Sequence, residues 1–340
     1  MTEPLFAIEH VDKVFETFAL RDCSLSILQN ETLGLVGESG SGKSTLGRCL
    51  IRLEDPDKGS IFYKGQEISR FDVTSLRAFR KEVQMIFQDP FASLNPKMDV
   101  AALITEPARI HKIDNPTPME ELLEWVGLSP SIAGRRPHEL SGGQLQRVNI
   151  ARALALNPQF LICDEPISSL DVSIQAQIIN LLKKLQKERG LSYLFISHHL
   201  PMVRYLADRI VVMYMGHILE IAPAERLCTT PLHPYTQMLF AAIPIPDPVA
   251  SRTRKLPIYP ANPPAKRGCP FASRCPHAQA VCQELPPLIE QAPQHWVRCH
   301  YSFFTGRFVD DSATHHPGKA EVAPLRLGND NKQPDTRCRE

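Results

Sequence analysis

The sequence has 340 residues, of which 43% are hydrophobic and 22% charged, as expected for an ordinary globular protein. Its 38 basic and 37 acidic residues leave a formal net charge of +1, which gives no electrostatic reason to expect nucleic acid as the main partner. No segment approaches the ~18 consecutive apolar residues of a membrane span, and the N-terminus lacks signal-peptide features, so we expect a cytoplasmic chain that reaches a membrane only through a partner.

Proline and cysteine are distributed unevenly along the chain. Prolines crowd between Pro231 and Pro293, and four of the nine cysteines cluster within residues 269–299. The length favours about two domains. We predict a core over residues 1–230, which includes a helical subdomain over about 89–158, an extension over 231–308, and a polar, disordered tail over 309–340.

The first segment, residues 5–30, alternates apolar and polar residues, which predicts antiparallel strands with one wet face. Phe15 follows the first strand pattern and lies before a glycine-rich loop. An aromatic side chain there can stack on a nucleobase, with Phe18 as a competing candidate. A core or surface phenylalanine is an equally good interpretation of Phe15 from the sequence.

A phosphate-binding loop is predicted next. The apolar run over 32–36 indicates a buried strand and residues 46–51 the start of a helix, with a glycine-rich segment between them. Backbone N–H groups and the helix N-terminus favour an anion, Lys43 reaches the β- and γ-phosphates, and the Ser44 hydroxyl can ligate Mg²⁺. The alternative is a chance glycine-rich turn. The predicted nucleotide-binding residues are Gly37, Ser39, Gly40, Ser41, Gly42, Lys43, Ser44 and Thr45.

Gln88 follows an apolar strand pattern over 82–87, and ligands bind at the carboxyl ends of strands in open α/β sheets. Taken alone, Gln88 also fits a solvated loop residue. Helical periodicity over 100–111 and 119–126, without strand signals, predicts the inserted helical subdomain.

A second glycine-rich helix N-terminus follows at Ser141, Gly142, Gly143 and Gln144. Ser141 fits an N-cap, and the bare backbone suits a second anion site. An ordinary capped helix with a flexible entry explains the same residues.

Acidic residues and a histidine end two further buried strands. Asp164 and Glu165 follow the apolar run over 160–163, and His198 follows the run over 191–197. Near a phosphate loop, Asp164 suits Mg²⁺ held through water, and Glu165 suits polarisation of the attacking water. His198 can hydrogen-bond a γ-phosphate, although a lone histidine there is more often structural.

These motifs, in this order and spacing, resemble the nucleotide-binding subunit of ABC transporters over roughly residues 5–230. The resemblance implies an α/β fold: a P-loop, RecA-like sheet with an antiparallel β subdomain and a helical subdomain. It also implies a head-to-tail dimer with ATP between the Lys43 loop and the Ser141 helix of the other subunit. Asp171 would lie at the dimer seam, and residues 88–96 would contact a membrane subunit.

The resemblance also implies roles for single residues. Glu165, His198 and Gln88 are expected to be catalytic, and Ser44, Gln88 and Asp164 to hold Mg²⁺. Three positions depart from the commonest motif forms, namely Cys163, Ser169 and His199. None removes a chemical group that hydrolysis needs, so we expect a competent site.

The cysteines of the extension, Cys269, Cys275, Cys282 and Cys299, favour a metal over disulfides in a cytosolic chain. Four thiolates can hold Zn²⁺ or an iron–sulfur cluster, and unligated structural cysteines are the alternative. With the segment His233-Pro234-Tyr235-Thr236, this spacing resembles the C-terminal extension of ATPases from dipeptide and oligopeptide importers. That resemblance implies a [4Fe–4S] cluster with these four cysteines as ligands.

The resemblance thus predicts an ATPase that energises uptake of di- or oligopeptides at the cytoplasmic face of the inner (plasma) membrane. Its expected partners are two permeases, a homologous ATPase subunit rather than a second copy, and indirectly a solute-binding protein. An importer for another solute, an exporter, and a soluble ABC ATPase of translation or DNA repair are the alternatives. Exporters commonly fuse membrane helices, and the soluble class usually has two cassettes or a coiled-coil insertion; this sequence shows none of these.

Overall fold

The computed structural model of this chain describes residues 3–243, 260, 262–265, 267–302 and 307–308. The predicted tail lies outside these residues. The strands are, in chain order, β1 (Phe6–Val14), β2 (Phe18–Ile27), β3 (Thr32–Val36), β4 (Lys58–Tyr63), β5 (Gln66–Glu67), β6 (Val83–Ile86), β7 (Phe160–Asp164), β8 (Ser192–Ile196), β9 (Arg209–Tyr214), β10 (His217–Pro223), β11 (Ile289–Ala292), β12 (His295–Val297), β13 (Tyr301–Ser302) and β14 (Arg307–Phe308).

The α-helices are α1 (Lys43–Leu50), α2 (Val73–Glu82), α3 (Pro90–Ser93), α4 (Val100–Ile110), α5 (Met119–Trp125), α6 (Gly142–Leu154), α7 (Val172–Arg189), α8 (Leu200–Leu206), α9 (Ala224–Thr229) and α10 (Pro234–Ala241). Short 3₁₀ turns lie at Pro130–Ile132, Pro137–Glu139 and Ala280–Gln283. Among the described residues, no helix is both long and apolar enough to cross a bilayer.

An antiparallel sheet forms in the order β2-β1-β4-β5, as the alternating pattern near the N-terminus predicts. On β1, Phe6, Ile8 and Val11 are buried, whereas Glu9 and His10 are exposed. The register shifts between Ile8 and Val11, where His10 has a φ of +52°. The sheet therefore has one face in the core and one face exposed to solvent, and β1 contains a register shift near His10.

The large sheet has the order β11-β12-β10-β9-β3-β8-β7-β6. Its strands from β9 to β6 run parallel, and β3, β7 and β8 are buried along their whole length. Fully apolar runs are what a parallel sheet covered on both faces requires. Because the carboxyl ends of parallel strands meet at one edge, the segments after β3, β6, β7 and β8 converge there.

Helices α4 and α5 occupy the region in which helical periodicity is predicted. Leu103, Leu122 and Leu145, from α4, α5 and α6, are buried in one hydrophobic cluster, which also takes in residues of the large sheet. Each helix therefore turns its apolar stripe towards a common core. The limits of the helical subdomain, about 89–158, stay a prediction.

The extension continues the large sheet. Strand β12 pairs antiparallel with β10, so that Glu220 faces Val297 and Ile221 faces Trp296, and β11 adds outside β12. The Arg298 guanidinium Nε also donates to the Ile218 carbonyl at 3.0 Å. The predicted boundary near residue 230 is therefore crossed by a continuous hydrogen-bonded sheet.

A buried carboxylate ties three segments together at this junction. Glu220 is fully buried, and its two oxygens accept from the backbone N–H groups of Leu232 at 2.7 Å and His233 at 2.9 Å. The buried His295 ring places Nε2 2.6 Å from the same carboxylate. The Glu220 carboxylate thus forms hydrogen bonds both with the backbone N–H groups that precede α10 and with the His295 ring on β12.

We expect Glu220→Gln to lower the free energy of unfolding by about 2 kcal/mol, because a buried N–H that loses its acceptor costs about 1–3 kcal/mol. Each Glu220 oxygen faces a backbone N–H, so an amide NH₂ in either orientation meets another donor. Urea unfolding measures the change. Glu225→Gln, at an exposed position on α9, is the matched control, and equal stability of the two variants would contradict the role of this network.

Candidate functional site

The glycine-rich segment forms a loop between β3 and α1, as predicted. Gly42 is the N-cap of α1, with a φ of +102°. A Cβ at this residue would lie 2.3 Å from the Ala19 carbonyl oxygen. Both the backbone conformation and the close approach of β2 therefore require glycine at this position.

Lys43 lies over this loop with a buried side chain. Its Nζ donates to the Gly37 carbonyl at 2.9 Å, the Glu38 carbonyl at 2.8 Å and Ser41 Oγ at 3.2 Å. Burial lowers the pKa of Lys43, and the carboxylates of Glu165 and Asp164 oppose that shift. The loop thus presents a single buried cation beside backbone N–H groups, which suits a phosphate.

Ser44 and Asp164 meet across the edge of the sheet. Ser44 Oγ donates to Asp164 Oδ1 at 2.8 Å, and Asp164 is almost fully buried at the end of β7. Burial raises the pKa of Asp164, whereas the Ser44 hydrogen bond and Arg48 lower it. A hydroxyl and one carboxylate beside a phosphate site fit Mg²⁺, which is commonly bound by one or two carboxylates together with substrate phosphates.

Glu165 is the point at which distant motifs meet. Gln88 Nε2 donates to Glu165 Oε2 at 3.1 Å, and His198 Nδ1 lies 3.2 Å from the same oxygen. Glu165 has a φ of +45°, and its N–H donates to the Ile196 carbonyl at 3.0 Å. A left-handed backbone is uncommon for a non-glycine residue, and Glu165 is one of the described residues that adopt it. A carboxylate so placed can accept a proton from water.

The phosphate loop and this carboxylate line one open cleft. Its lining residues are Ala19, Ser39, Gly40, Gly42, Lys43, Ser44, Thr45, Gln88, Glu165 and His198. Six of the eight predicted loop residues and the three predicted catalytic residues therefore line this cleft, whereas Gly37 and Ser41 are not among its lining residues.

The aromatic candidates lie outside the lining of this cleft in the described structure. Phe15 and Phe18 are 54% and 45% exposed. Lys13 Nζ lies 5.3 Å from the centre of the Phe15 ring, and the Arg21 guanidinium 4.2 Å from that of Phe18. Ala19, beside Phe18, does line the cleft. The contact of Phe15 with a base stays a prediction.

The second glycine-rich element lies apart from the Lys43 cleft in the described residues. Ser141 is the exposed N-cap of α6 and forms a capping box with Gln144, with distances of 3.3 and 3.1 Å between side chain and backbone. A Cβ on Gly143 would meet the Ile174 side chain at 2.8 Å, so glycine permits close packing against α7. Asp171 is the exposed N-cap of α7 and makes no side-chain cap hydrogen bond.

Sequence reasoning missed two residues of the extension that reach the phosphate loop. Tyr235 Oη accepts from the Glu38 N–H at 2.8 Å. Arg274 Nη1 donates to both Glu38 carboxylate oxygens at 3.2 Å and to Tyr214 Oη at 3.3 Å. These partners lie 197 and 236 positions from Glu38 in the chain, and no local pattern indicates such pairing.

Two family models match separate parts of this chain. A family model described as "ABC transporter" matches residues 20–168, and one described as "Oligopeptide/dipeptide transporter, C-terminal region" matches residues 219–282. The putative oligopeptide transport ATP-binding protein YkfD of Bacillus subtilis (strain 168) is 50% identical over 294 residues, which cover 83% of this chain and 89% of that protein. The oligopeptide transport ATP-binding protein OppF of Salmonella typhimurium is 44% identical over 292 residues, covering 83% and 87%.

Solved structures agree on the fold. The dimeric, post-hydrolysis ATP-binding cassette MJ0796 with ADP and Pi has a TM-score of 0.59 and 28% identity, covering 64% of this chain and 98% of its own. The protein cbiO1 of Clostridium perfringens has a TM-score of 0.60 at 24% identity, covering 67% and 92%.

The predicted [4Fe–4S] cluster is wrong. In the part of the chain that the structure describes, no group of three or more His, Cys, Asp or Glu residues is arranged to hold a metal ion, and the matching relatives are named for ATP binding and peptide transport alone. The same finding leaves Zn²⁺, the alternative, without a site there. The four cysteines predicted as ligands line one small pocket; they are Cys269, Cys275, Cys282 and Cys299.

The physical reason is that three of these four thiols pack in or against the hydrophobic core. Cys269 is buried, and Cys275 and Cys282 pack against the same hydrophobic cluster. Burial raises the pKa of Cys269 to about 11 and that of Cys299 to about 12, which favours the neutral thiol over the thiolate that a metal needs. Cysteine then acts as a small apolar side chain, which was the alternative interpretation.

Proposed function

This chain belongs to the family of ABC transporter ATP-binding subunits, and we propose that it hydrolyses ATP to energise uptake of di- or oligopeptides through an ABC importer. One observation carries the proposal: a single chain joins a nucleotide cassette, with Glu165 beside the Lys43 loop, to a C-terminal region matched by the peptide-transporter model. Relatives named for oligopeptide transport support the peptide as cargo.

The chemistry assigns one task to each group in the cleft. The Lys43 ammonium and the loop N–H groups hold the β- and γ-phosphates, and the residues that would hold Mg²⁺ are Ser44, Asp164 and Gln88. When bound, Mg²⁺ neutralises charge on the phosphate oxygens. Glu165 accepts a proton from water as its oxygen bonds to the γ-phosphorus. The bond from that phosphorus to the bridging oxygen breaks, and ADP leaves with the electron pair.

His198 and Gln88 orient this step. Both side chains contact Glu165 Oε2, within 3.2 Å, so they fix the direction of the carboxylate. His198 is largely exposed at the mouth of the cleft, where its ring can also donate to a γ-phosphate oxygen.

The second half of the ATP site comes from another subunit in this proposal. The lining of the Lys43 cleft does not include the second glycine-rich element of the same chain, residues 141–144. Ser141 is exposed and is the N-cap of α6. Asp171 is exposed and has no capping role, which leaves its carboxylate for a contact across the seam. A head-to-tail pair, with a homologous ATPase subunit rather than a second copy, would complete two sites.

The permease contact is assigned to residues 88–96. Phe87 and Phe91 are 37% and 55% exposed on either side of Gln88, and Asp89 caps the short helix α3 there. Exposed aromatic residues joined to a catalytic glutamine suit a surface that transmits the nucleotide state to a partner. Two permeases would place the chain at the cytoplasmic face of the inner membrane, with the solute-binding protein beyond it.

Vesicle reconstitution tests this function. The chain, its ATPase partner and the two permeases are placed in vesicles, with MgATP on the ATPase side and the solute-binding protein on the other. We expect labelled di- or oligopeptides to accumulate only with MgATP, and the same assembly with Glu165→Gln to accumulate none. ATP-dependent uptake of a non-peptide solute alone would overturn the peptide assignment, and steeply salt-dependent binding of nucleic acid without permease binding would overturn transport itself.

A further inference from the structure

Two side chains of the extension, Tyr235 and Arg274, form hydrogen bonds with one residue of the phosphate loop, Glu38. Tyr235, on α10, accepts the Glu38 N–H at 2.8 Å, and Arg274 donates to both Glu38 carboxylate oxygens at 3.2 Å. Glu38 is therefore bound through its backbone and its side chain at once.

Glu38 in turn holds Lys43. The Glu38 carbonyl accepts from Lys43 Nζ at 2.8 Å. A displacement of this peptide unit therefore moves the group that the lysine ammonium contacts. Two hydrogen-bonded steps connect the extension to the cation that holds the phosphates.

The side chains of Tyr235 and Arg274 are themselves held by packing. The Tyr235 ring is buried, with its centre 4.5 Å from that of Tyr214 and 5.4 Å from that of Phe271. The Arg274 guanidinium lies 5.6 Å from the centre of the Phe271 ring, and its Nη2 donates to Met238 Sδ at 3.4 Å. Aromatic packing thus holds the Tyr235 hydroxyl and the Arg274 guanidinium in place beside Glu38.

The contact between Arg274 and Glu38 also neutralises charge beside the phosphate loop. An unpaired Glu38 carboxylate beside the loop would repel the phosphates of a nucleotide, and Arg274 offsets that charge with a two-pronged hydrogen bond. The pair is partly exposed, with 21% of the Arg274 side chain and 38% of that of Glu38 accessible, so screening by salt reduces the effect.

We propose that Tyr235 and Arg274 are positioning residues for ATP, through which the C-terminal extension sets the nucleotide affinity of the phosphate loop. This inference rests on the proposed ATP binding by that loop. The extension is thereby part of the nucleotide site, although no atom of it lines the cleft among the described residues.

The test uses the full chain and MgATP as the probe. We expect Tyr235→Phe and Arg274→Gln each to weaken MgATP binding by about three- to tenfold, the range for one hydrogen bond or one partly exposed charge-assisted pair. The rate at saturating ATP should change much less, so the loss appears in KM rather than kcat. Tyr235→Phe keeps the packed ring and removes only the hydroxyl. Arg267→Gln, at an exposed arginine of the same extension, is the matched control.

A double-mutant cycle separates positioning from folding. In a Glu38→Gln background, Arg274→Gln should weaken MgATP binding far less than in the wild type, because its charge partner is absent. Equal effects in both backgrounds, or unchanged affinity together with a lower melting temperature, would overturn the inference. A wild-type chain that binds no MgATP would instead refute the proposed function, so the two failures are distinguishable.

Discussion

Glu165→Gln reduces the rate of ATP hydrolysis at least about 100-fold, the lower limit of what a positioned general base contributes, and leaves MgATP affinity intact. The amide keeps the size of the carboxylate and can still accept from Gln88 Nε2, so the cleft retains its shape. It cannot accept the proton of the attacking water. Phosphate release at saturating ATP, together with equilibrium binding of MgATP, measures the two effects separately.

Glu188→Gln provides the matched control for this result. Glu188 lies on α7 with 53% of its side chain exposed, and its closest cation, Lys184, is 3.9 Å away. We expect hydrolysis by this variant to equal that of the wild type. Near-normal hydrolysis by the Glu165 variant would remove the base from the mechanism, and a parallel loss of MgATP binding would reassign Glu165 to the nucleotide cradle.

Lys43→Met should weaken MgATP binding by roughly 100-fold, if the ammonium makes two charge-assisted hydrogen bonds of about 1.5 kcal/mol each to the phosphates. Methionine retains the buried methylene chain and removes the charge. Calorimetric titration with MgATP measures the affinity. Lys187→Met, at an exposed position on α7, controls for the loss of a positive charge and should bind normally.

The pH dependence of binding gives a second check on Lys43. Burial lowers its pKa in the free protein, so the ammonium loses its proton at a lower pH than a solvent-exposed lysine does. The charged form binds phosphate; affinity should therefore fall as the pH rises through that pKa. Lys43→Met should lack this alkaline decline. A decline of equal size in both proteins would trace the effect to another group.

Much of the candidate site could be predicted because its elements are local patterns joined by a topological rule. Apolar runs located β3, β7 and β8, and glycines located the loop. Parallel strands then bring their carboxyl ends together, which accounts for the contact of His198 with Glu165. The two are separated in sequence by α7 and β8, yet the sheet makes them neighbours.

The remainder depended on contacts that no local pattern encodes. The pairing of β12 with β10, and the contacts of Tyr235 and Arg274 with Glu38, join segments far apart in the chain. Buried polar groups of this kind are indicated in the sequence only by a residue type, such as the Glu in Leu219-Glu220-Ile221. Strand alternation alone cannot show that this carboxylate is fully buried.

The four clustered cysteines show a different limit of prediction from the sequence. Four cysteines within a short segment suit metal ligation by sequence, yet a metal needs thiolates directed at one point, whereas a core needs only small apolar side chains. Spacing along the chain does not distinguish the two. In the described residues no group of three or more His, Cys, Asp or Glu is arranged to hold a metal, and burial raises the pKa of Cys269 and of Cys299, as for thiols packed in a core.

The pairing of β12 with β10 also sets an order of events during synthesis. Strand β10 emerges from the ribosome long before β12, so until residues 295–297 follow, one edge of the large sheet has unpaired N–H and C=O groups. An open edge of this kind can pair with another nascent chain. The extension thus moves this edge of the sheet from β10 to β11, which has only four residues, and a short edge strand offers less backbone for pairing with another chain.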